Sequence, residues 1–332
     1  MINFGVIGTN WISDQFAEAA HLTGKYRLIS VFSRTPEKAR AFGAKYGAQY
    51  FETDLERFAA NKELDLVYIA SPNSLHFGYA ETLIKAGKDL VVEKPAFSNI
   101  GETEKIIALA ESHKVLVFEA ARQIYEKNYT ILKEKLQTIG GIRGATLTYM
   151  KYSPRYDLVL KGDVPNIFSR EFSGGAMADL GVYPIYSAIY LFGMPEKTYY
   201  FCNKISTGVD GTGLGVFRYP DFDVTLHFGK IADSFLKSEI WGGGKTITMD
   251  GMNSIGVIDM YDRETKKVEN IAEKIDPNPM LGEAEAFADI IINRSAAAQI
   301  SWHKYLTELM RQVSAVMTKM RLENGIVFSA DK

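Results

Sequence analysis

The chain has one cysteine, Cys202, among its 332 residues. A single thiol cannot form an intrachain disulfide, and it cannot supply a zinc site made of clustered cysteines. The five histidines are scattered, without the spacing of metal ligands. We therefore expect no metal site.

The chain also has no marked excess of charge, since 38 Lys and Arg stand against 40 Asp and Glu, a net charge of −2. Nucleic-acid binding usually requires a clustered excess of Lys and Arg, so we expect no such partner. No apolar run approaches the ~20 residues that cross a bilayer. The first residues, MINFGVIGTN, lack the features of a signal peptide. We expect a cytoplasmic protein that binds a small molecule and no membrane.

The first 120 residues alternate short apolar segments with longer segments of helical periodicity. Consecutive apolar residues are typical of parallel strands that are covered on both faces. Strands are predicted at Phe4–Ile7, Leu28–Phe32, Leu66–Ala70, Leu90–Val92 and Val115–Phe118, and helices at Asp14–Leu22, Glu37–Tyr46, Leu55–Ala60, Leu75–Ala86 and Glu102–His113. This repetition predicts an α/β Rossmann domain, a doubly wound parallel sheet, over residues 1–121.

The pattern changes at about residue 122. A helix is expected near Tyr183–Phe192, strands broken by turns from Thr198 to Val268, and a last helix at Tyr305–Leu322. Strands with helices grouped around them predict an α+β domain with a largely antiparallel sheet over residues 122–332. Two domains also agree with the usual ~150 residues per domain.

The first predicted strand leads into Gly8-Thr9-Asn10-Trp11-Ile12-Ser13. A dinucleotide-binding turn has the pattern G-x-G-x-x-G, in which the glycines allow a tight turn, close approach of the pyrophosphate and packing of helix on strand. Here only the first glycine is present; asparagine stands second, where it tolerates positive φ but hinders close approach, and a small serine stands third. The alternative is an ordinary βα turn. Its place as the first βα turn favours a dinucleotide site, with contacts from Gly8, Thr9, Asn10, Trp11 and Ile12.

The end of the second predicted strand reads Ser33-Arg34-Thr35. NAD sites usually have an acidic residue there for the ribose 2′-hydroxyl, and none precedes Glu37. A guanidinium and hydroxyl donors suit a 2′-phosphate instead. The pattern favours NADP(H), with NAD(H) still possible, and the alternative is a solvated surface arginine.

The strand at Leu90–Val92 runs into Glu93-Lys94-Pro95. Ligands of open α/β sheets sit outside the carboxyl ends of strands, where a lysine can reach a substrate. Taken alone, Lys94 is better explained as a lysine in a strand-to-helix turn.

These segments, with GVIGTNWIS at residues 5–13, SPNSLH at 71–76 and GGAMADLGVYP at 174–184, resemble the glucose–fructose oxidoreductase, inositol dehydrogenase and rhizopine-catabolism (Gfo/Idh/MocA) family along nearly the whole chain. Many members carry histidine where this chain has Tyr183. Tyrosine there, and the ending RLENGIVF at 321–328, are similar to the subgroup of glucose–fructose oxidoreductase and the dimeric dihydrodiol dehydrogenases.

The resemblance implies an NAD(P)-dependent oxidoreductase whose second domain has an open-faced sheet used in oligomerisation. It implies that Lys94 hydrogen-bonds the reacting oxygen, that Tyr183 is the acid/base and that Asp179 is its neighbour. It further implies a cofactor site that includes Ser71, Asn73, His76, Glu93 and Lys94, with Asn73 and His76 near the nicotinamide.

The residues themselves are consistent with this chemistry. A tyrosine, with an ordinary pKa of ~10, is a poor base at neutral pH, but a nearby ammonium favours the phenolate. Lys94 beside Tyr183 is thus a plausible functional pair. The alternative is that Tyr183 packs at a domain junction.

We expect the substrate pocket between the domains, with Arg122, Tyr152 and Phe168 among its walls, where aromatic rings stack on a sugar or diol ring. Taken singly, each of these residues is better explained as a packing or surface residue. The predicted activity is hydride transfer between the nicotinamide and a secondary alcohol or carbonyl of a sugar-like polyol or dihydrodiol. The alternatives are a non-catalytic nucleotide-binding regulator and an enzyme whose cofactor never leaves. A homodimer or larger homo-oligomer is predicted to form through the sheet at Thr198–Val268.

Overall fold

The computed structural model describes residues 1–332, which divide into two compact units. Unit 1 contains residues 1–120 and 280–311, and unit 2 contains residues 121–279 and 312–332. None of the helices combines the length and the apolar character needed to span a lipid bilayer.

Fourteen strands and ten α-helices follow one another along the chain. The strands are β1 (Ile2–Ile7), β2 (Tyr26–Phe32), β3 (Tyr50–Glu52), β4 (Leu66–Ile69), β5 (Asp89–Glu93), β6 (Val117–Ala120), β7 (Ile142–Met150), β8 (Lys197–Lys204), β9 (Asp210–Arg218), β10 (Asp223–Gly229), β11 (Ser238–Gly242), β12 (Lys245–Met249), β13 (Ile258–Asp262) and β14 (Val268–Asn270). The helices are α1 (Trp11–Leu22), α2 (Pro36–Ala44), α3 (Leu55–Ala59), α4 (His76–Lys85), α5 (Ile100–His113), α6 (Lys127–Lys135), α7 (Tyr156–Leu160), α8 (Val182–Phe192), α9 (Leu281–Ile292) and α10 (Ala297–Glu323).

Unit 1 is built on a six-stranded parallel sheet in the order β3-β2-β1-β4-β5-β6. The predicted doubly wound sheet is confirmed, and its switch point lies between β1 and β4, where the strand order reverses. All residues of β4 and β5 are buried, which explains why their sequences are apolar without alternation. Strand β3 was not predicted, because its three half-buried residues at the sheet edge are too few to show a pattern.

Residues 280–311 belong to unit 1, whereas the division predicted after residue 121 assigns them to the second domain. Long-range contacts hold them there. The Tyr26 hydroxyl donates to the carbonyl of Ala284 at 2.7 Å, and Nε2 of His303 lies 3.2 Å from the carbonyl oxygen of Val117. These contacts join segments far apart in the chain, so no local pattern reports them.

Unit 2 contains an eight-stranded sheet in the order β14-β13-β12-β11-β7-β10-β9-β8. Every neighbouring pair is antiparallel except β7 and β10, so the largely antiparallel sheet is confirmed. In β8 the side chains of Tyr199 and Phe201 are exposed, while those of Thr198 and Tyr200 are buried. This alternation shows that one face of the strand is open to solvent.

The parallel pairing of β7 with β10 brings the carboxyl ends of these two strands together. The backbone N–H of Lys151 donates to the carbonyl of Gly229 at 3.0 Å, and that of Ser153 donates to the carbonyl of Lys230 at 2.8 Å. The residues that follow the two strands, Tyr152 and Lys230 among them, therefore lie at one edge of the sheet.

Candidate functional site

The turn between β1 and α1 requires a glycine at its first position. Gly8 has φ of 102°, and a Cβ atom there would lie 2.4 Å from the carbonyl oxygen of Ala70. Both the backbone conformation and the close approach exclude a larger residue. The turn lies at the carboxyl end of β1, beside the switch point, where open α/β sheets bind their ligands.

Asn10 occupies the second glycine position in a different way from that expected. Its backbone is extended, with φ of −97°, so the tolerance of asparagine for positive φ is not used. Its side-chain oxygen accepts hydrogen bonds from the N–H groups of Ile12 (2.9 Å) and Ser13 (3.1 Å), and its amide nitrogen donates to Ala70 at 2.7 Å. Asn10 is therefore the N-cap of α1. Ser13 is fully buried, as its small size allows.

Ser33 and Arg34 follow the end of β2. The backbone of Ser33 donates to the carbonyl of Glu52 at 3.1 Å, and the Arg34 side chain is exposed. Burial raises the pKa of Tyr79 on α4, and the positive charge of Arg34 acts in the opposite direction. Tyr79 was missing from the predicted site, since a lone tyrosine on a helix carries no signal. An accessible guanidinium and a hydroxyl at this edge are donors that suit a phosphate group.

His76 links the turn after β4 to the segment after β5. Its Nε2 lies 2.9 Å from the carbonyl oxygen of Ser71, and its Nδ1 lies 3.2 Å from that of Ala96. The ring is fully buried, and burial lowers the pKa of His76. A neutral imidazole donates from one nitrogen only, so His76 holds one of these carbonyls at a time. Ser71 and Asn73 in the same turn are half-buried.

Glu93 supports the segment that carries Lys94. The Tyr68 hydroxyl donates to Oε1 of Glu93 at 2.5 Å, and the backbone N–H of Lys94 lies 3.2 Å from Oε2. Ala96 is held by Oε1 of Glu119, at 2.8 Å from its backbone nitrogen. The two buried carboxylates thus bind the backbone on both sides of the cis peptide between Lys94 and Pro95.

In unit 2, the segment at residues 174–184 is anchored on a buried carboxylate. Gly175 has φ of 123°, and a Cβ atom there would lie 2.2 Å from Oδ1 of Asp210. Oδ2 of Asp210 accepts hydrogen bonds from the backbone of Met177 at 2.7 Å and from the Tyr200 hydroxyl at 2.6 Å. Burial raises the pKa of Asp210. Asp210 was not among the predicted site residues because it lies outside the motif and follows its contact Met177 by 33 positions.

Tyr183 lies at the start of α8, which is entered through a π-helical turn at Met177–Gly181. π-Helical turns inside helices often occur at functional sites. The Tyr183 ring is buried and meets Tyr149 edge to face, with the ring centroids 5.4 Å apart. Pro184 stands in the first turn of α8, the part of a helix that accepts proline.

Asp179, in the π-helical turn, forms an ion pair with Lys230. Nζ of Lys230 also lies 4.7 Å from the centroid of the Phe168 ring, and both of these side chains are buried. Lys230 was absent from the predicted site, since it belongs to no motif and follows Asp179 by 51 positions.

The other predicted substrate residues have partners within unit 2. The Tyr152 hydroxyl donates to Asp157 at 2.5 Å. Arg122 places its charge near Glu126, whose Oε2 accepts a hydrogen bond from the Ser254 hydroxyl at 2.8 Å. Burial raises the pKa of Glu126 to about 7, although Ser254 and Arg122 act in the opposite direction.

Comparison with known proteins defines the class. Residues 2–121 match the oxidoreductase family with an NAD-binding Rossmann fold, and residues 132–248 match the GFO/IDH/MocA C-terminal domain. The chain therefore belongs to the Gfo/Idh/MocA family of oxidoreductases, which confirms the resemblance of its motifs.

Two relatives are similar over the whole length. The chain is 38% identical over 334 residues to scyllo-inositol 2-dehydrogenase (NADP⁺) of Bacillus subtilis, with 100% of each chain covered. It is 36% identical over 331 residues to an oxidoreductase of Escherichia coli K12, with 100% of this chain and 99% of the relative covered. Trans-1,2-dihydrobenzene-1,2-diol dehydrogenase of the mouse is 25% identical over 87% of this chain and 84% of its own.

Among solved structures, a 3-ketoreductase from Actinomadura kijaniata in complex with NADP and TDP-benzene has the same fold. The TM-score is 0.83, with 19% sequence identity and 97% of each chain covered.

Proposed function

We propose that the protein is an NADP(H)-preferring oxidoreductase that interconverts a secondary alcohol and a carbonyl on a neutral, sugar-like polyol. The observation that carries this proposal is the 38% identity, over both full chains, to a scyllo-inositol 2-dehydrogenase that uses NADP⁺. A dihydrodiol is the second substrate class, supported by the weaker likeness to the mouse enzyme.

The residues at the carboxyl edge of the unit 1 sheet fit the cofactor. Gly8 allows the tight turn, and Ser33 with Arg34 offers donors for a 2′-phosphate. Ser71, Asn73 and Lys94 complete the proposed contacts, whereas His76 and Glu93 position the backbone around them. The bound nicotinamide supplies the hydride acceptor or donor.

The protein has to move the hydroxyl proton and hold the reacting oxygen. In this proposal the hydroxyl of Tyr183 gives or takes that proton, and the ammonium of Lys94 hydrogen-bonds the same oxygen. Asp179 contributes a negative charge near the substrate hydroxyls. Removing the proton-transfer group affects turnover more than cofactor binding, because the cofactor does not depend on it.

The predicted substrate residues have unequal parts in the proposal. Tyr152 and Arg122 remain candidates for contact with substrate. Phe168 is fully buried under the ammonium of Lys230, so we assign it to the support of Lys230.

The side chains of Tyr199 and Phe201 are exposed on the unit 2 sheet, which supports the predicted homo-oligomer through that sheet. Light scattering at micromolar concentration tests this oligomer. The cytoplasmic location stays a prediction.

Calorimetric titration of the purified protein with NADPH, and separately with NADH, tests the cofactor assignment. We expect NADPH to bind more tightly, and Arg34→Ala to weaken NADPH by about 10- to 100-fold while hardly changing NADH, because a hydrogen bond to a charged group contributes ~1.5–3 kcal/mol. Arg143→Ala, an exposed arginine on β7, is the control.

Equal affinity for both cofactors contradicts the role of Arg34. If neither cofactor binds, the result contradicts an NAD(P)-dependent enzyme and favours a non-catalytic regulator. The Asn10 side chain, which caps α1, would then be the group that keeps the pyrophosphate from the N-terminus of the helix. Turnover of scyllo-inositol against related polyols and a dihydrodiol, with the preferred cofactor, tests the substrate class.

A further inference from the structure

The side chain of Lys230 is only 1% exposed, yet its ammonium is paired with the partly exposed carboxylate of Asp179. We propose that Lys230 is a positioning residue that keeps Asp179 ionised and fixes the direction of its carboxylate. The proposal rests on the proposed function, in which Asp179 acts beside Tyr183.

Burial makes the charge of Lys230 effective. An ammonium removed from water is stable only when it is paired and hydrogen-bonded, and its attraction for a carboxylate is much stronger than at the surface. The ring of Phe168 lies 4.7 Å from Nζ of Lys230 and adds a cation–π contact on an apolar side. Water therefore hardly reaches Lys230, and it screens the ion pair only from the side of Asp179.

Both ends of the ion pair are anchored in the fold. The backbone N–H of Lys230 donates to the carbonyl of Gly211 at 2.8 Å, and its carbonyl accepts from Ser153 at 2.8 Å. On the other side, the π-helical turn that carries Asp179 is fastened through Met177 to the buried Asp210. The carboxylate is thus held in one direction, as a site for a defined substrate requires.

The charge state of Asp179 has a consequence for the substrate. The side chain is 35% exposed, so ligands from solvent reach it. An ionised carboxylate accepts hydrogen bonds and donates none, so it binds hydroxyl groups and repels acids. The ionised carboxylate of Asp179 therefore favours neutral polyols over their carboxylate analogues.

A surface ion pair of the same composition provides a matched control. Lys45 pairs with Asp14 at 2.8 Å, and Asp14 is 37% exposed, nearly as much as Asp179. Lys45, however, is 55% exposed, and ion pairs between exposed side chains contribute little to stability. The two pairs differ in the burial of the lysine, and Asp14 also accepts a hydrogen bond from the Tyr46 hydroxyl at 2.7 Å.

The test is a pH titration of protein labelled with ¹³C at the aspartate carboxyl groups, followed by NMR. Asp179 is assigned as the signal that disappears in Asp179→Asn. In Lys230→Met we expect the proton affinity of Asp179 to rise tenfold or more, which moves its titration midpoint to higher pH. In Lys230→Arg the midpoint should stay close to that of the parent protein. In Lys45→Met, the signal of Asp14 moves much less.

Turnover provides a second readout. We expect Lys230→Met to lower kcat, to move its acid limb to higher pH and to leave NADPH affinity unchanged. Lys230→Arg restores most of kcat. If the protein shows no NAD(P)H-dependent turnover, the proposed function is disproved but the role of Lys230 is not, because the NMR titration measures that role independently.

An unchanged Asp179 midpoint in Lys230→Met overturns the proposal. If Lys230→Met does not fold, Asp179→Asn gives the same information from the other partner, since it leaves the buried ammonium without its carboxylate. The ¹³Cε signal of Lys230 must then titrate at lower pH than in the parent, and an unchanged signal also overturns the proposal.

Discussion

Gly8 and Gly175 each lie in a turn against an oxygen atom, and the two turns differ in the source of that oxygen. At Gly8 it is the backbone carbonyl of Ala70, and at Gly175 it is the carboxylate of Asp210. The first turn is held against the backbone carbonyl of Ala70, which follows the neighbouring strand β4. The second depends on the buried carboxyl group of Asp210, at the start of β9. The glycine of each turn is visible in the sequence, whereas the side chain that anchors the second turn is not.

The change with the largest expected effect is Tyr183→Phe, which tests whether the segment anchored by Asp210 carries the chemistry. Because general acid–base catalysis contributes ~10²- to 10⁴-fold, kcat should fall by about that factor. NADPH affinity, measured by calorimetry, should not change. Tyr199→Phe, on the exposed face of β8, is the control, and near-full turnover of Tyr183→Phe disproves the assignment.

Alanine at the two glycines compares the turns directly. Gly175→Ala strains the backbone and displaces Asp210 from Met177 and Tyr200, so unfolding by denaturant should show a loss of about 2–5 kcal/mol, with NADPH binding retained. Gly8→Ala strains the turn by ~1–3 kcal/mol and should mainly weaken NADPH. The comparison breaks down if both variants lose the cofactor equally.

The dependence of unit 2 on buried carboxyl groups predicts a pH effect. The pKa of Glu126 is raised from 4.5 to about 7, mainly by burial. The folded state therefore binds the proton more tightly than the unfolded one, and this contribution is complete below pH ~4.5 and lost as the pH rises through 7. The loss amounts to about 3 kcal/mol. Unfolding of Glu126→Gln should show a flatter pH dependence over this range, and an identical dependence contradicts the shift.

The smallest expected effect is that of Asn10→Gly. Glycine is nearly as good an N-cap as asparagine, so stability should fall by only a few tenths of a kcal/mol, whereas Asn10→Ala should cost about 1 kcal/mol. The glycine variant releases the N–H groups of Ile12 and Ser13 and should bind NADPH more tightly in calorimetry. Weaker binding would show that the Asn10 side chain itself contacts the cofactor.

Much of unit 1 could be predicted because parallel strands are buried on both faces and have uniformly apolar sequences. The strands around β4 and β5 were found this way, within two residues at each end. The three-residue β3 was not, and neither was the return of residues 280–311 to unit 1. Both depend on contacts between distant segments, which leave no periodicity in the local sequence.

The residues of the candidate site also fall into those that the sequence predicts and those that it does not. Lys94, Asp179 and Tyr183 were proposed because they stand in short motifs of fixed spacing. Lys230 and Asp210 were missed, because each acts on its partner only after the strands of unit 2 have paired. A charged residue at a strand end was the nearest available signal, and it was not specific, because β8, β12 and β13 also have charged residues at their ends.

By itself, the sequence determined the class of fold, the family and the turn at Gly8, because these depend on periodicity, motif spacing and the conformational freedom of one residue. Only the tertiary structure decided that Asn10 caps a helix and that Lys230 is buried against Asp179. The physical reason is that hydrogen bonding and desolvation act between atoms in space. The parallel pairing of β7 with β10 and the neighbouring π-helical turn bring those atoms together.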